Sequence, residues 1–225
     1  MSEDTDPFRF AWSVDQSGYE IAHVMLQQPP GFGLERECDV VRRKGGELRF
    51  YRALDDDGLW LTFAENCRDA ASVIAFANEF GPLGIDREGL RDRVSDIIET
   101  AATLRRIGQQ LQDSELLAAT LLLAHTGLPT VKEGIFWDVD RPKFCQVPLT
   151  LRDALLHQAA LAIEGNWRFR RCRNQGCANW FRVGGVRPRG TPKRTTAVAR
   201  AFTARREFCS DRCRVASARR QKRKA

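Results

Sequence analysis

Four cysteines in two close pairs carry the clearest chemistry in this sequence. Four residues separate Cys172 from Cys177, three separate Cys209 from Cys213, and 31 lie between the pairs. Two thiol pairs joined by a moderate loop supply the four tetrahedral sulfur ligands of a structural zinc ion. Metal binding needs thiolates, and the surroundings favour them. Arg171, Arg173, Arg212 and Arg214 flank the sulfurs, and Ser210 is placed to cap a helix whose positive end lies beside the second pair. The segment has few apolar residues, so it needs a staple to fold. The expected cofactor is one structural Zn2+, held by Cys172, Cys177, Cys209 and Cys213. Cys38, Cys67 and Cys145 have no close partner in the sequence and read as core or free thiols.

Charge gives the second signal. The 225-residue chain has a formal net charge of +7, but residues 166–225 carry 19 basic residues against two acidic ones. That tail stands at +17 on a body at −10. A strongly basic segment calls for a polyanion, most simply nucleic acid. At about 100° per residue, Arg212, Arg219 and Arg223 share one face of a C-terminal helix. Arg220 broadens that stripe, and Arg187, Arg189, Lys193 and Arg194 form a basic loop. These eight residues are the candidate nucleic-acid contacts, with DNA favoured over RNA. They can neutralise phosphates, and arginine forks can reach guanine edges in a major groove. Trp167, Phe169, Trp180 and Phe181 offer stacking faces for single strands, although packing in the small finger core is their simpler use. Two alternatives stand beside this reading. The basic segment is a solvated or body-docked tail, or it engages an acidic protein partner.

The positioning elements follow from periodicity. Residues 1–165 are expected to form an acidic α+β body, with strands over about 8–63 and helices over about 69–164. The runs 48–54 and 59–63 flank Asp55-Asp56-Asp57-Gly58, a hairpin signal. Helices are expected over 69–80, 90–111, 114–126 and 151–164. The third, nearly all apolar, is expected to be the central buried one. Residues 130–149, with Gly134, Pro142 and Pro148, read as irregular. The fourth carries an N-cap pair, Thr150 with Asp153. Residues 166–225 form a separate finger: a strand enters the first cysteine knuckle, another leaves it, and a helix closes it after Ser210. The body is expected to fold without this finger.

The stretch FCSDRCRVASARRQKR resembles the closing knuckle of many bacterial zinc-finger proteins. With a preceding helix, a basic strand and Cys-x4-Cys-x-x-Trp-Phe, the chain resembles a family of largely uncharacterised bacterial proteins whose C-terminal finger is similar to the CGNR-type treble clef. FANEFGPLG, residues 76–84, is similar to a segment of the same family. The resemblance covers about residues 151–225 well and 70–90 loosely. It implies a treble-clef zinc finger and a role in transcription regulation. The chain departs from the signature in having Arg-Val-Ala after Cys213 and Ala178 after Cys177.

Other functional classes fit less well. The three histidines, His23, His125 and His157, all precede the finger, so a histidine-dependent nuclease on that scaffold lacks its base. GPLG and VGGVRPRG are turns rather than nucleotide-binding fingerprints. No apolar run reaches the roughly 18 residues of a membrane span. The acidic start MSEDTDPF is unlike a secretory signal, so a cytoplasmic location is expected. The chain therefore reads as an α+β body with a treble-clef-like zinc finger that binds nucleic acid without catalysis. An enzyme with an unrecognised site in residues 1–150 is the third reading.

Overall fold

The computed structural model of the protein describes residues 12–26, 36–51, 56–84, 92–138, 141–175, 177, 179–184 and 207–222. Among them the fold is mixed α+β, with short antiparallel sheets around a helical core. Strand β1 (Trp12–Asp15) pairs with β4 (Leu48–Tyr51), and β2 (Tyr19–Leu26) pairs with β3 (Arg36–Arg43). The two-residue β5 (Asp92–Arg93) adds to the other edge of β3.

One buried acid ties these strands together. The Asp15 carboxylate accepts from the backbone N–H groups of Ser17 at 2.8 Å, Gly45 at 2.9 Å and Gly46 at 2.9 Å, and from Arg43 Nε at 3.1 Å. It thereby fixes the β1–β2 and β3–β4 turns in one contact. Burial pulls its pKa upward, but these donors outweigh burial and hold it below the ordinary carboxylate value.

Helix α1 (Leu59–Asn66) corrects the hairpin expected around Gly58. Asp56 Oδ1 accepts the Gly58 N–H at 3.0 Å and its carbonyl accepts the Leu59 N–H at 3.1 Å, so Asp56 to Gly58 lead into a helix rather than a strand. Periodicity cannot separate a buried strand from a buried helix in a five-residue apolar run. Here every residue from Leu59 to Ala64 is buried. The acids at 56 and 57 also suit the positive end of a helix.

Helix α2 (Ala70–Phe80) begins at a capping box between Asp69 and Ser72 and stops at Gly81, whose φ of 85° favours glycine. Helix α3 (Val94–Gln112) buries Val94, Ile97, Ala101, Leu104, Ile107 and Leu111, the face its periodicity predicts. Leu90, the expected start of that stripe, lies outside the described residues. Helix α5 (Leu151–Glu164) is capped as expected, with Thr150 Oγ1 accepting the Asp153 N–H at 3.0 Å.

Two further expectations fail. Helix α4 (Leu116–Thr126) is not the central helix: it buries only Ala119 and Leu123, while Leu117 is 73% exposed and Leu121 55%. A helix apolar on all sides has no polar face to declare which side meets the core. Residues 131–148 are not irregular but form an antiparallel hairpin, β6 (Val131–Asp138) with β7 (Arg141–Pro148). Its two strands are both edges, where Pro142 and Pro148 can stand without breaking a central ladder. Helices α1, α2, α3 and α5 enclose the core around Trp60, Phe63, Leu104, Ile107, Leu155 and Leu156, and Trp167 joins that core from beyond α5.

Candidate metal centre

Beyond α5 the chain forms a small hairpin, β8 (Arg168–Arg171) with β9 (Trp180–Gly184), irregular between Arg168 and Phe169. Cys172 and Cys177 sit in its connecting turn. The Cys172 N–H donates to the Asn179 carbonyl at 3.0 Å and the Cys177 N–H to the Asn174 carbonyl at 2.8 Å, which curls the turn. The second pair approaches through a local bridge. The Arg173 N–H donates to the Glu207 carbonyl at 3.0 Å, and the Arg173 guanidinium meets both Glu207 carboxylate oxygens at 2.8 and 2.9 Å. Two residues on stands Cys209. Helix α6 (Asp211–Lys222) then starts behind Ser210, whose hydroxyl oxygen accepts the Cys213 N–H at 3.3 Å. The cap expected from sequence is therefore present, and it places Cys213 in the first turn.

The four cysteine sulfurs lie within 4.8 Å of one another. Cys177 Sγ and Cys209 Sγ are 3.6 Å apart, and Cys209 Sγ and Cys213 Sγ 3.5 Å. A metal with four sulfurs at about 2.3 Å has tetrahedral edges of roughly 3.8 Å. The separations fit that cage and far exceed the roughly 2.05 Å of a disulfide. All four are free thiols. Phe181, Val183 and Phe208 pack around them. The Ser210 hydroxyl, helped by the Asn174 amide, draws the Cys213 thiol down to about 6, while burial pushes Cys177 and Cys209 up. A cation among the sulfurs reverses that upward push, because it stabilises every thiolate around it. The group can hold a metal ion.

The hairpin is clamped to the body. Trp167 is 5% exposed within the main core, and Phe169 meets Trp60 edge-to-face with ring centroids 5.7 Å apart. Trp180 Nε1 donates to Glu65 Oε2 at 3.0 Å, and Arg171 lies 3.8 Å from the same carboxylate. Arg182 stacks over the Trp167 ring at 3.9 Å and faces Asp57 at 3.5 Å. At Gly58 a Cβ would lie 2.2 Å from the Trp180 carbonyl oxygen, so only glycine admits this approach. The four aromatics expected inside a self-contained finger core are therefore divided. Trp167, Phe169 and Trp180 pack on the body, and only Phe181 belongs to the sulfur cluster. Their local sequence offered no sign of partners on a helix a hundred residues away.

Of the candidate phosphate contacts, Arg212, Arg219 and Arg220 are exposed on α6. Arg187, Arg189, Lys193, Arg194 and Arg223 lie outside the described residues. Asn174 and Glu207 were missed as parts of the centre. The Asn-x-Gly turn between the first two cysteines is the one signal that could have flagged Asn174. Away from the centre, Cys67 is a core thiol that burial pushes up to about 12. Cys38 is half-buried, and the Cys145 side chain is outside the described set. His157 sits mid-helix in α5, and burial lowers its pKa. His125 lies in the last turn of α4. No protein-family model matches the chain, and no curated protein matches its sequence. Among the described residues, no helix is long and apolar enough to cross a membrane.

Proposed function

We propose that the four cysteines hold one zinc ion and that this centre presents α6 as a basic helix for nucleic acid, in a non-enzymatic regulator of transcription resembling CGNR-type treble-clef proteins. The observation that carries the reading is the sulfur cluster: four free thiols from two distant segments within 4.8 Å. An all-sulfur tetrahedral set suits zinc or iron, and a closed four-ligand site suits a structural role. The hairpin followed by a helix supports the treble-clef reading. Arg212 and Arg219 are seven residues apart and share a face, with Arg220 beside them. Trp167 and Phe181 are buried, which favours contact with a duplex backbone over base stacking and so DNA over RNA.

Elemental analysis tests the metal. The wild type is expected to carry one zinc per chain, and the Cys209→Ser/Cys213→Ser double variant none; equal zinc in both ends the assignment. A salt titration of duplex DNA binding tests the partner. If about five phosphates are contacted, log K falls against log salt with a slope near −4.5. Replacing Arg212, Arg219 and Arg223 by Gln flattens that slope by about 2 to 3. Zinc-loaded protein with no DNA affinity, but a saturable acidic protein partner, establishes the adaptor reading instead.

A further inference from the structure

We propose that the groove between α3, α4 and α5 binds a small zwitterion of about dipeptide size, with an ammonium at one end and a carboxylate at the other. The cavity measures about 550 Å³, inside the roughly 300–1,000 Å³ range of ligand pockets. Its walls carry both signs of charge: Asp96 and Glu99 from the start of α3, Arg106 further along it, His125 from the end of α4 and Arg152 from the start of α5. Glu99, Arg106 and His125 have no hydrogen-bond or ion-pair partner among the described residues.

Charges of opposite sign on one helix can pair with each other at i,i+3 or i,i+4. Glu99 and Arg106 are seven residues apart, about 10.5 Å along the axis, and cannot do so. Both line the same cavity, one towards each end of its α3 wall. One ligand with complementary ends can bridge them. A fully extended dipeptide spans at most about 7 Å and takes about 2.9 Å of hydrogen bond at each end, so it bridges charged groups roughly 13 Å apart, a span the long Glu99 and Arg106 side chains can adjust to. Arg152 is already fixed, with its guanidinium donating to the Thr126 carbonyl at 2.6 Å and its N–H to the Leu83 carbonyl at 2.9 Å. A wall set in advance loses less entropy on binding. Leu122 supplies one apolar contact for a side chain. A ligand with a single charge leaves either the acids or Arg106 without a counterpart, and this selects the zwitterion.

Isothermal titration of the full chain with glycyl-leucine, N-acetyl-glycyl-leucine and glycyl-leucinamide tests the assignment. Saturable binding of glycyl-leucine is expected at a Kd of about 1 mM or tighter. Each capped form should bind about tenfold more weakly or worse, because one charge-assisted contact is gone. Glu99→Gln and Arg106→Gln should each weaken glycyl-leucine by a similar factor, with unchanged melting, since both side chains are exposed. The proposal is overturned by the absence of saturable binding to glycyl-leucine. It is equally overturned by a capped form that binds as well as the free dipeptide, or by wild-type affinity in both variants.

Discussion

Truncating Trp167 to alanine in the full chain tests whether hairpin and body share one core. The side chain is 5% exposed and lies among the residues of the main cluster. Emptying such a site costs about 3–5 kcal/mol, and loss of the Arg182 stack adds about 0.5–2 kcal/mol. For a chain of this size each kcal/mol lowers Tm by about 2–4 °C, so the core term alone predicts a fall on the order of 6–20 °C. A chain ending at Gly165 loses Trp167, Phe169 and Trp180 together. That loss rivals the roughly 5–15 kcal/mol that holds a domain folded, so the truncated chain is expected to lack cooperative melting. The sequence alone suggested an independent body, and the packing predicts dependence. Calorimetry or circular dichroism on the three chains decides it. A Trp167→Ala protein melting within about 2 °C of wild type, or a cooperative transition of residues 1–165 at the wild-type temperature, refutes the shared core.

Other outcomes follow from the same structure. Because the Asp15 pKa is depressed in the fold, its contribution is present above the unfolded carboxylate value of about 3.9 and is lost as pH falls through the lower folded value. Asp15→Asn is therefore expected to be less stable at pH 7 and to show a flatter acid limb in urea titrations from pH 6 down to about 2. Leu117→Gln and Leu121→Gln are expected to shift stability by about 0.5 kcal/mol or less, whereas Leu155→Ala costs about 2–5 kcal/mol. Thermal melts compare them, and a large loss at Leu117 places α4 in a packed interface. Chelation of the metal is expected to abolish DNA binding while the cooperative melt of the body persists. Fluorescence anisotropy and circular dichroism of the same sample check both halves of that statement.

Legibility followed the range of the signal. Helices α2 and α5 were readable because their caps are local, and α3 because its apolar stripe is. Asp69 with Ser72, Gly81, and Thr150 with Asp153 each act within four residues. Helix α1 and the β6–β7 hairpin were not readable. For α1, burial on every side erases the amphipathic pattern that separates helix from strand. For the hairpin, Pro142 and Pro148 count as breaks until the strands are known to be edges. The orientation of α4 failed for a related reason, since nine apolar or small residues in a row name no inner face.

At the centre, ligand spacing is local within each pair, so the cysteines could be grouped from sequence. What spacing could not carry is how differently its two halves are held. The β8–β9 half, with Cys172 and Cys177, is fixed to the body by Trp167, Phe169 and Trp180 and by the pairing of Arg171 and Arg182 with Glu65 and Asp57. Among the described residues, the other half, residues 207–222, meets the first through the Arg173–Glu207 bridge, Phe208 and the sulfur cluster. An exposed ion pair of that kind contributes about 0–1 kcal/mol, too little to hold a twelve-residue helix in place. Four metal–thiolate bonds contribute far more, since structural zinc supplies on the order of 10–16 kcal/mol in small fingers. A metal bound at the cluster would join the anchored hairpin to this basic helix, so its removal is expected to release Arg212, Arg219 and Arg220 from their common frame without unfolding the body.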